Sequence, residues 1–342
     1  MPKINITFLE VKQWEETYLR EKLGKIKNVS LNFFSKPSSQ KVLKKIKATD
    51  ILGVFIYSNI NQAALAALPN LKFIATMSTG FDHLDLKACQ ARKITISNVP
   101  FYGENTVAEH TFALILALSR RLFPSVENAR KYQFDLSDIN LRGHDLKDKT
   151  IGIVGFGHIG QRVAKIAKGF EMKVIAFDPH KDQRLAKKLD IKYVSFEYLL
   201  GYSDIISLHA PYNKKTHHLI NKNNIKLIHK GTCLINTARG GLVETQALVT
   251  ALKKKIITCA GLDVLEEEHF IKEEKELLAK PFQEKTQDFK TILQGHLLIQ
   301  DPRVLVTPHN AFNSVEALQR ILDTTIDNIK GYLNHKIINQ VK

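Results

Sequence analysis

The stretch KTIGIVGFGHIGQRVAKIAKGFEMKVIAFDP, residues 149–179, decides the fold. It opens with a short apolar run and breaks at the glycine-rich turn GFGHIG, residues 155–160. Apolar residues then recur at helical spacing, and a second, β-branched run follows at 173–177. This order predicts a strand, a tight turn, a helix and a second strand.

The three glycines of the turn each meet a different physical need. Gly155 lets the chain turn sharply, Gly157 lets the backbone approach a pyrophosphate, and Gly160 lets helix and strand pack closely. The N–H groups of the first helical turn and the helix dipole favour an anion at the same place. The turn therefore predicts a dinucleotide site, and the alternative is an ordinary glycine turn in a parallel sheet.

Asp178 lies 23 residues beyond Gly155, at the tip of the second predicted strand. A carboxylate there can accept hydrogen bonds from the adenosine ribose hydroxyls and repels a 2′-phosphate. The sequence therefore predicts NAD rather than NADP as the cofactor. His180, Lys181 and Arg184 lie close by and leave NADP as an open alternative.

The composition is that of a folded protein of about two domains, with 342 residues of which 44% are hydrophobic. No apolar run approaches the roughly 20 residues of a membrane span, and the N-terminus lacks the apolar core of a signal peptide. Three widely spaced cysteines form neither a disulfide framework nor a CxxC metal pair. We therefore expect buried thiols, no metal, no membrane partner and a cytoplasmic location.

The formal net charge of +16 favours association with anions. Nucleic acid is one such partner, but the lysines are spread along the chain and alternate with acids, without zinc-finger spacing or an arginine-rich arm. We therefore expect a lysine-rich surface that attracts an anionic substrate and cofactor, and no nucleic-acid partner.

Strands and helices alternate along the whole chain, which predicts an α/β protein with two parallel-sheet domains. A long apolar helix, Thr106–Leu122, separates the halves, and an amphipathic helix begins at Ser314. Ligands on such sheets lie at the carboxyl ends of strands. The predicted strands outside the opening unit are Lys3–Phe8, Val29–Phe33, Ile51–Tyr57, Phe73–Thr76, Ile94–Ser97, Asp204–His209, Thr232–Asn236, Thr258–Leu262 and Val304–Val306.

Arg239, Glu268 and His309 follow successive predicted strands and are the candidates for catalysis. Conversion of a hydroxyl to a ketone beside a dinucleotide needs a proton moved at the same carbon, and imidazole titrates near neutral pH. A carboxylate on the far ring nitrogen would raise the pKa of the histidine, and an arginine fork could clamp a substrate carboxylate. Each residue alone also fits an ordinary core, surface or loop position.

Several segments resemble the D-isomer-specific 2-hydroxyacid dehydrogenases, and within them the D-lactate dehydrogenase branch. They occur in the order of the family and cover both predicted domains. The segments are STGFDHLD (78–85), NVPFYGENTVAEHTFALILAL (98–118), IGIVGFGHIG (151–160), SLHAPYNKKTHHLI (207–220), INTARGGLVE (235–244), GLDVLEEE (261–268) and TPHNAF (307–312).

The resemblance implies a Rossmann NAD-binding domain, residues 105–307, inserted in a flavodoxin-like substrate domain formed by residues 1–104 and 308–342. It also implies a homodimer joined through the NAD-binding domains. The implied reaction is reduction of pyruvate to D-lactate with NADH, with the proton supplied by His309. Two alternatives are a broader 2-oxo-acid reductase for larger side chains and an NAD(H)-sensing, corepressor-like binding protein.

The resemblance also implies roles for individual residues. Arg239 is similar to the substrate-binding arginine, Glu268 to the partner of the histidine, and His309 to the proton donor and acceptor. The implied substrate contacts are Tyr57, Thr79, Gly80, Tyr102, Arg239 and Phe312. The implied cofactor contacts, besides the glycines of the turn, are His158, Ile159, Asp178, Ala210, Pro211, Thr216, Thr237, Ala238 and Asp263.

The chain departs from the family's shorter members between Asp263 and His309, which lie 46 residues apart. A charged, partly helical insertion at 272–299 fills this interval, and the lactate branch carries an extension at the same place. Glu266 and Glu267 adjoin Glu268, so the choice of Glu268 as the partner of His309 depends on spacing alone.

Overall fold

The computed structural model describes residues 3–131, 137, 139–266 and 286–341. The chain divides into two compact units. The first comprises Met1–Tyr102 with Asn313–Lys342, and the second comprises Gly103–Phe312. The functional domain boundaries predicted at 104/105 and 307/308 stay a prediction.

Within its described residues, the first unit contains a five-stranded parallel sheet in the order β2-β1-β3-β4-β5. This 2-1-3-4-5 order is that of flavodoxin-like sheets, whose ligands lie at the carboxyl ends of the strands. The strands are β1 (Ile4–Phe8), β2 (Val29–Phe33), β3 (Ile51–Val54), β4 (Phe73–Thr76) and β5 (Thr95–Ser97).

Helices follow the strands of this unit because apolar residues recur at helical spacing behind polar caps. The Ser39, Asn61 and Asp85 side chains each accept a backbone N–H of the first turn of a helix. The helices are α1 (Gln13–Leu23), α2 (Gln40–Lys45), α3 (Gln62–Ala66) and α4 (Leu86–Ala91), and the C-terminal helix Val315–Leu333 returns to the same unit.

The second unit contains a seven-stranded parallel sheet, counted over its described residues, in the order β12-β11-β10-β9-β6-β7-β8. Numbered within the unit, the order is 3-2-1-4-5-6 with a seventh strand added, which is that of a Rossmann fold. The strands are β6 (Thr150–Val154), β7 (Lys173–Phe177), β8 (Lys192–Tyr193), β9 (Ile205–Leu208), β10 (Thr232–Asn236), β11 (Ile257–Leu262) and β12 (Val304–Val306).

Both faces of this sheet are covered, as the continuous apolar strands require. Ile151 and Ile153 face one buried cluster, whereas a Cβ on Gly152 would point the other way, at Leu199 and Ser203. The helices of the unit are α5 (Glu104–Ser119), α6 (Leu122–Arg130), α7 (His158–Gly169), α8 (Gln183–Leu189), α9 (Phe196–Tyr202), α10 (Thr245–Lys253) and α11 (Thr286–Gln300). The C-terminal helix Val315–Leu333 is α12.

The predicted fold class is confirmed, with two local differences. The long helix expected at Thr106–Leu122 is two helices, because Arg121 adopts a left-handed backbone (φ 53°) between α5 and α6. The strand expected to reach Tyr57 ends at Val54, because the Glu10 carboxylate takes the next N–H groups that could extend the strand.

The insertion predicted at 272–299 is described only from residue 286, where it is the helix α11. Within the described ranges, no helix combines the length and apolarity needed to cross a membrane.

Candidate active site

The glycine turn joins β6 to α7 and can be built only with glycine at two of its positions. Gly155 has φ +89°, and a Cβ there would lie 2.6 Å from the backbone N of Ala210. A Cβ on Gly160 would overlap the Gly155 carbonyl oxygen. A Cβ on Gly157, by contrast, would meet no atom within 4 Å. The turn is thus tightly packed at Gly155 and Gly160 and open at Gly157.

This geometry fits the pyrophosphate of a dinucleotide. The open space at Gly157 lets a ligand reach the backbone, and no side chain caps the N-terminus of α7. The turn lies where the strand order reverses, between β6 and β9, which is the ligand-binding position of open α/β sheets. His158 and Ile159, two predicted cofactor contacts, are the first residues of α7.

Asp178 follows β7 and holds the turn from the side. Its Oδ2 accepts the Phe156 N–H at 2.7 Å and its Oδ1 accepts the His180 N–H at 2.8 Å. These bonds fix a carboxylate beside the glycine turn. The negative charge there disfavours a 2′-phosphate.

His209 at the end of β9 is partly buried, and its backbone packs against Gly155 of the turn. Its Nε2 shares a hydrogen bond of 2.8 Å with the Ser207 hydroxyl, and its Nδ1 has no hydrogen-bond partner in the described structure. Burial lowers the pKa of His209 to about 3, so the ring is neutral.

The predicted cofactor contacts Ala210, Pro211 and Thr216 follow His209. The Thr216 hydroxyl donates to the Pro211 carbonyl at 2.6 Å and accepts the Asn213 N–H at 2.8 Å, so it shapes this loop. The contact of Thr216 with the cofactor stays a prediction.

The loop after β10 carries Arg239. Asn236 fixes the loop, because its side chain donates to the Arg239 carbonyl at 2.9 Å and accepts the Ala238 N–H at 3.1 Å. The half-buried Arg239 guanidinium donates to the Ala238 carbonyl at 2.8 Å. A Cβ on Gly240 would overlap the backbone of Leu265 and Glu266, so these two segments are in close contact.

The loop after β12 carries His309, whose backbone is left-handed (φ 53°). Asp263, after β11, holds this loop: its carbonyl accepts the His309 N–H at 2.8 Å, and its carboxylate accepts the N–H groups of Asn310 at 2.7 Å and Ala311 at 2.9 Å. Burial opposes ionisation of Asp263, but hydrogen bonds from His110, Thr307 and the backbone outweigh burial and lower its pKa. Its predicted contact with the nicotinamide end of the cofactor stays a prediction.

Helix α5 braces both loops through two polar residues that sequence reasoning did not single out. His110 Nε2 lies 3.1 Å from the Thr307 hydroxyl and 3.5 Å from Asp263. The Thr111 hydroxyl lies 2.9 Å from that of Thr237. The available signal was the polar group Glu109-His110-Thr111 inside the otherwise apolar run VAEHTFALILAL.

Strand order places the loops that carry Arg239 and His309 at the same edge of the sheet. They follow β10 and β12, which flank β11 in the parallel sheet. Two strand spacings amount to about 10 Å, which long side chains can bridge. Glu268 and Glu267 lie outside the described residues. Glu266 is described, and its carboxylate contacts His218 and Thr245.

The other predicted substrate residues lie partly in the first unit. Thr79 and Gly80 follow β4 in an exposed loop, where the Thr79 hydroxyl donates to the Val99 carbonyl at 2.8 Å and the Gly80 carbonyl accepts from the Ser78 hydroxyl at 2.7 Å. Tyr57 is 44% exposed after β3, and the Tyr102 carbonyl accepts from Arg320 at 2.7 Å.

Phe312 belongs to the second unit, and its ring is centred 6.3 Å from that of His309, edge to face. In the part of the chain that the structure describes, no three His, Cys, Asp or Glu side chains gather to hold a metal ion.

Comparison with known proteins places these features in context. The family profile described as "D-isomer specific 2-hydroxyacid dehydrogenase, NAD binding domain" matches residues 112–311. A glyoxylate reductase of Thermococcus litoralis is 39% identical over 238 residues, which are 68% of this chain and 72% of that protein.

Two solved structures resemble the whole chain. The D-lactate dehydrogenase of Aquifex aeolicus, complexed with NAD and lactic acid, has a TM-score of 0.87 and 36% identity over 97% of this chain and 96% of its own. The pyruvate reductase of Chlamydomonas reinhardtii has a TM-score of 0.84 and 34% identity over 98% and 97% of the two chains.

Proposed function

The chain belongs to the D-isomer-specific 2-hydroxyacid dehydrogenase family, and from this premise we propose that it reduces pyruvate to D-lactate. Membership makes it an NAD-dependent oxidoreductase that acts on small 2-hydroxy and 2-oxo acids. We further propose that Gly103–Phe312 is the NAD-binding domain and that the other unit is the substrate domain.

The observation that supports a small substrate best is the ring of Phe312, centred 6.3 Å from the candidate acid His309. An aromatic side chain at this distance limits the room beside the reacting carbon, which suits the methyl group of pyruvate. The similar Aquifex protein, solved with NAD and lactic acid, agrees with this choice.

In the proposed reaction, Arg239 binds the substrate carboxylate through its planar fork. His309 donates a proton to the C2 oxygen during reduction and accepts it during oxidation. Bound NADH supplies the hydride to C2. Glu268 is the proposed partner of His309 and holds its imidazolium form, and Asp263 keeps the histidine loop in place.

The test is the rate of NADH oxidation with purified protein and a panel of 2-oxo acids. We expect the highest kcat/KM with pyruvate, D-lactate rather than L-lactate as the product, and little activity with NADPH. A higher kcat/KM with phenylpyruvate or 2-oxoisocaproate would favour the broader reductase and contradict the pyruvate assignment.

Glyoxylate is the second candidate substrate, because the 39% identical relative is named a glyoxylate reductase. Glyoxylate has a hydrogen where pyruvate has a methyl group, so a pocket shaped for the methyl group should bind it more weakly. We expect loss of one buried methyl contact to cost about 1–3 kcal/mol, or roughly 10- to 200-fold in kcat/KM. Equal or better use of glyoxylate would reverse the assignment.

We also propose a homodimer formed through the NAD-binding domains. Helix α6 exposes Leu122 (52%), Phe123 (55%) and Val126 (40%) on one face, which is apolar surface that a second copy could cover. Light scattering should give the mass of two chains. Phe123→Glu should give one chain, whereas Tyr202→Glu, at an exposed aromatic residue outside α6, should not; a monomeric wild-type protein would refute the dimer.

A cytoplasmic, reducing location is our last proposal here. Cys89, Cys233 and Cys259 are all buried as free thiols, which a reducing compartment favours.

A further inference from the structure

A hydrogen-bonded pair that the proposed chemistry does not use, His218 and Glu266, lies beside the Arg239 loop. His218 Nε2 lies 2.5 Å from Glu266 Oε1, and the two side chains are 30% and 15% exposed. Glu266 Oε2 accepts the Thr245 N–H at 3.1 Å and its hydroxyl at 2.7 Å. Both carboxylate oxygens therefore have hydrogen-bond donors, which fixes the orientation of the pair.

The backbones on either side of this pair enclose the Arg239 loop. The His218 N–H donates to the Gly241 carbonyl at 2.8 Å. On the opposite side, Gly240 packs so closely on Leu265 and Glu266 that a Cβ would overlap their backbone. The His218–Glu266 hydrogen bond therefore joins the two segments between which residues 240 and 241 lie.

Aromatic rings extend the same assembly. The His217 ring stacks on His218 with centroids 3.8 Å apart, and the Tyr212 hydroxyl lies 3.0 Å from His217 Nδ1. A Cβ on Gly241 would lie 2.6 Å from the Tyr212 ring. These contacts leave residues 240 and 241 little freedom to shift.

We propose that His218 and Glu266 are positioning residues that hold the Arg239 loop in the geometry that receives the substrate carboxylate. The same pair anchors the chain two residues before Glu268. The inference rests on the proposed function, since it gives Arg239 the role of substrate clamp. Displacement of such a clamp by about 1 Å weakens productive binding strongly.

The left-handed backbone of His218 (φ 49°) allows a matched pair of variants. Asparagine tolerates this conformation well but is too short to reach Glu266, whereas glutamine can place an N–H near the position of Nε2. We expect His218→Asn to raise KM for pyruvate about tenfold, a typical coupling within one hydrogen-bond network, and His218→Gln to restore most of it. The dissociation constant of NADH should change less than about twofold.

Glu266→Gln tests the other side of the pair and replaces His218→Asn if that variant does not fold. It should also raise KM for pyruvate, because an amide cannot accept the two Thr245 bonds and the His218 bond together. The double variant His218→Asn/Glu266→Gln should be less impaired than the product of the two single effects. If the increase in KM of the double variant equalled the product of the two single increases, the residues would act independently and the proposed pairing would be overturned.

Amide hydrogen exchange of residues 237–244 gives a readout that does not depend on activity. Exchange should be faster in His218→Asn than in the wild type and near normal in His218→Gln. Unchanged exchange, or an unchanged KM for pyruvate in His218→Asn, would overturn the inference. An unchanged KM for pyruvate in Arg239→Ala would instead overturn the proposed substrate clamp.

Discussion

His309 occupies a left-handed backbone conformation, which costs a non-glycine residue about 1–3 kcal/mol unless neighbours stabilise it. Asp263 supplies several stabilising contacts, since both its carbonyl and its carboxylate accept N–H groups of this loop. These contacts hold the left-handed backbone of His309 in place.

Replacement of His309 by glutamine should remove the proton donor and leave the loop nearly intact. We expect kcat for pyruvate reduction to fall about 10²- to 10⁴-fold, the usual contribution of general acid catalysis. The affinity for NADH, measured by fluorescence titration, should not change. Turnover at the wild-type rate would exclude His309 from the reaction.

Glu10 has a comparable positioning role in the first unit. Its Oε2 accepts the Phe55 N–H at 3.0 Å and its Oε1 accepts the Tyr57 N–H at 2.9 Å, so the carboxylate shapes the loop that carries Tyr57. Burial raises the pKa of Glu10, and hydrogen bonds from Ser58 and the backbone oppose this rise.

Glu10→Ala should leave these N–H groups without an acceptor. We expect the free energy of unfolding to fall by about 1–3 kcal/mol, measured by urea denaturation. The free energy of unfolding should fall less in Glu10→Gln, because the remaining amide oxygen can still accept one of these N–H groups. Equal stability of the wild type and Glu10→Ala would contradict a structural role for this carboxylate.

At the scale of elements, the glycine turn separates a folding requirement from a binding requirement. Gly155→Ala must place a Cβ 2.6 Å from the Ala210 nitrogen at φ +89°, so it should destabilise the protein. Gly157→Ala places its Cβ in open space and should keep the melting temperature within a few degrees.

Calorimetry and NADH titration distinguish the two glycines. Gly157→Ala should bind NADH at least about tenfold more weakly, because the methyl group occupies the space that the pyrophosphate needs. Wild-type NADH affinity in Gly157→Ala would place the pyrophosphate elsewhere.

Sequence patterns predicted which helices and strands form more accurately than where each of them ends. Strands β2, β4, β10 and β12 match their predicted limits. The end of β3 depends on Glu10, which is 44 residues earlier in the chain than Val54. No local pattern can report such a contact.

The same reason explains the parts of the site that the sequence did not reveal. Arg239 and His309 could be proposed because each directly follows a strand, and strand ends share one edge of a sheet. The contacts of His110 with Thr307, and of His218 with Glu266, join residues 197 and 48 positions apart. Pairs of this kind become visible only in the folded chain.

At the scale of the whole molecule, histidines with a lowered pKa link stability to pH. The pKa of His209 is about 3 when folded, because of burial, against an ordinary value of 6.5. Between about pH 6.5 and pH 3, the unfolded chain therefore binds a proton at His209 that the folded chain does not bind. Stability from this residue is complete above pH 6.5 and is lost as the pH falls toward 3.

Other groups with shifted pKa values also contribute to the pH dependence, and Glu10, whose pKa is raised, acts in the opposite direction to His209. Burial also lowers the pKa of His144, so that residue adds a loss of the same sign as that of His209. The lowered pKa of Asp263 acts in the same direction only at more acidic pH, since an unfolded aspartate titrates near 3.9. Between pH 6.5 and 4.5 the histidine contributions therefore dominate among His209, His144 and Asp263.

His209 alone should remove about 2–3 kcal/mol of unfolding free energy between pH 7.5 and 4.5, since each bound proton contributes up to about 1.4 kcal/mol per pH unit. Urea denaturation at these two pH values measures the loss. Over the same pH interval, the unfolding free energy of His209→Gln should fall by about 2–3 kcal/mol less than that of the wild type, whatever the substitution costs at pH 7.5. His229→Gln, at an exposed histidine, should keep the wild-type pH dependence. An equal loss in the wild type and His209→Gln would mean that the ring is protonated inside the folded protein, and the polar network beneath the glycine turn would then have to carry a charge.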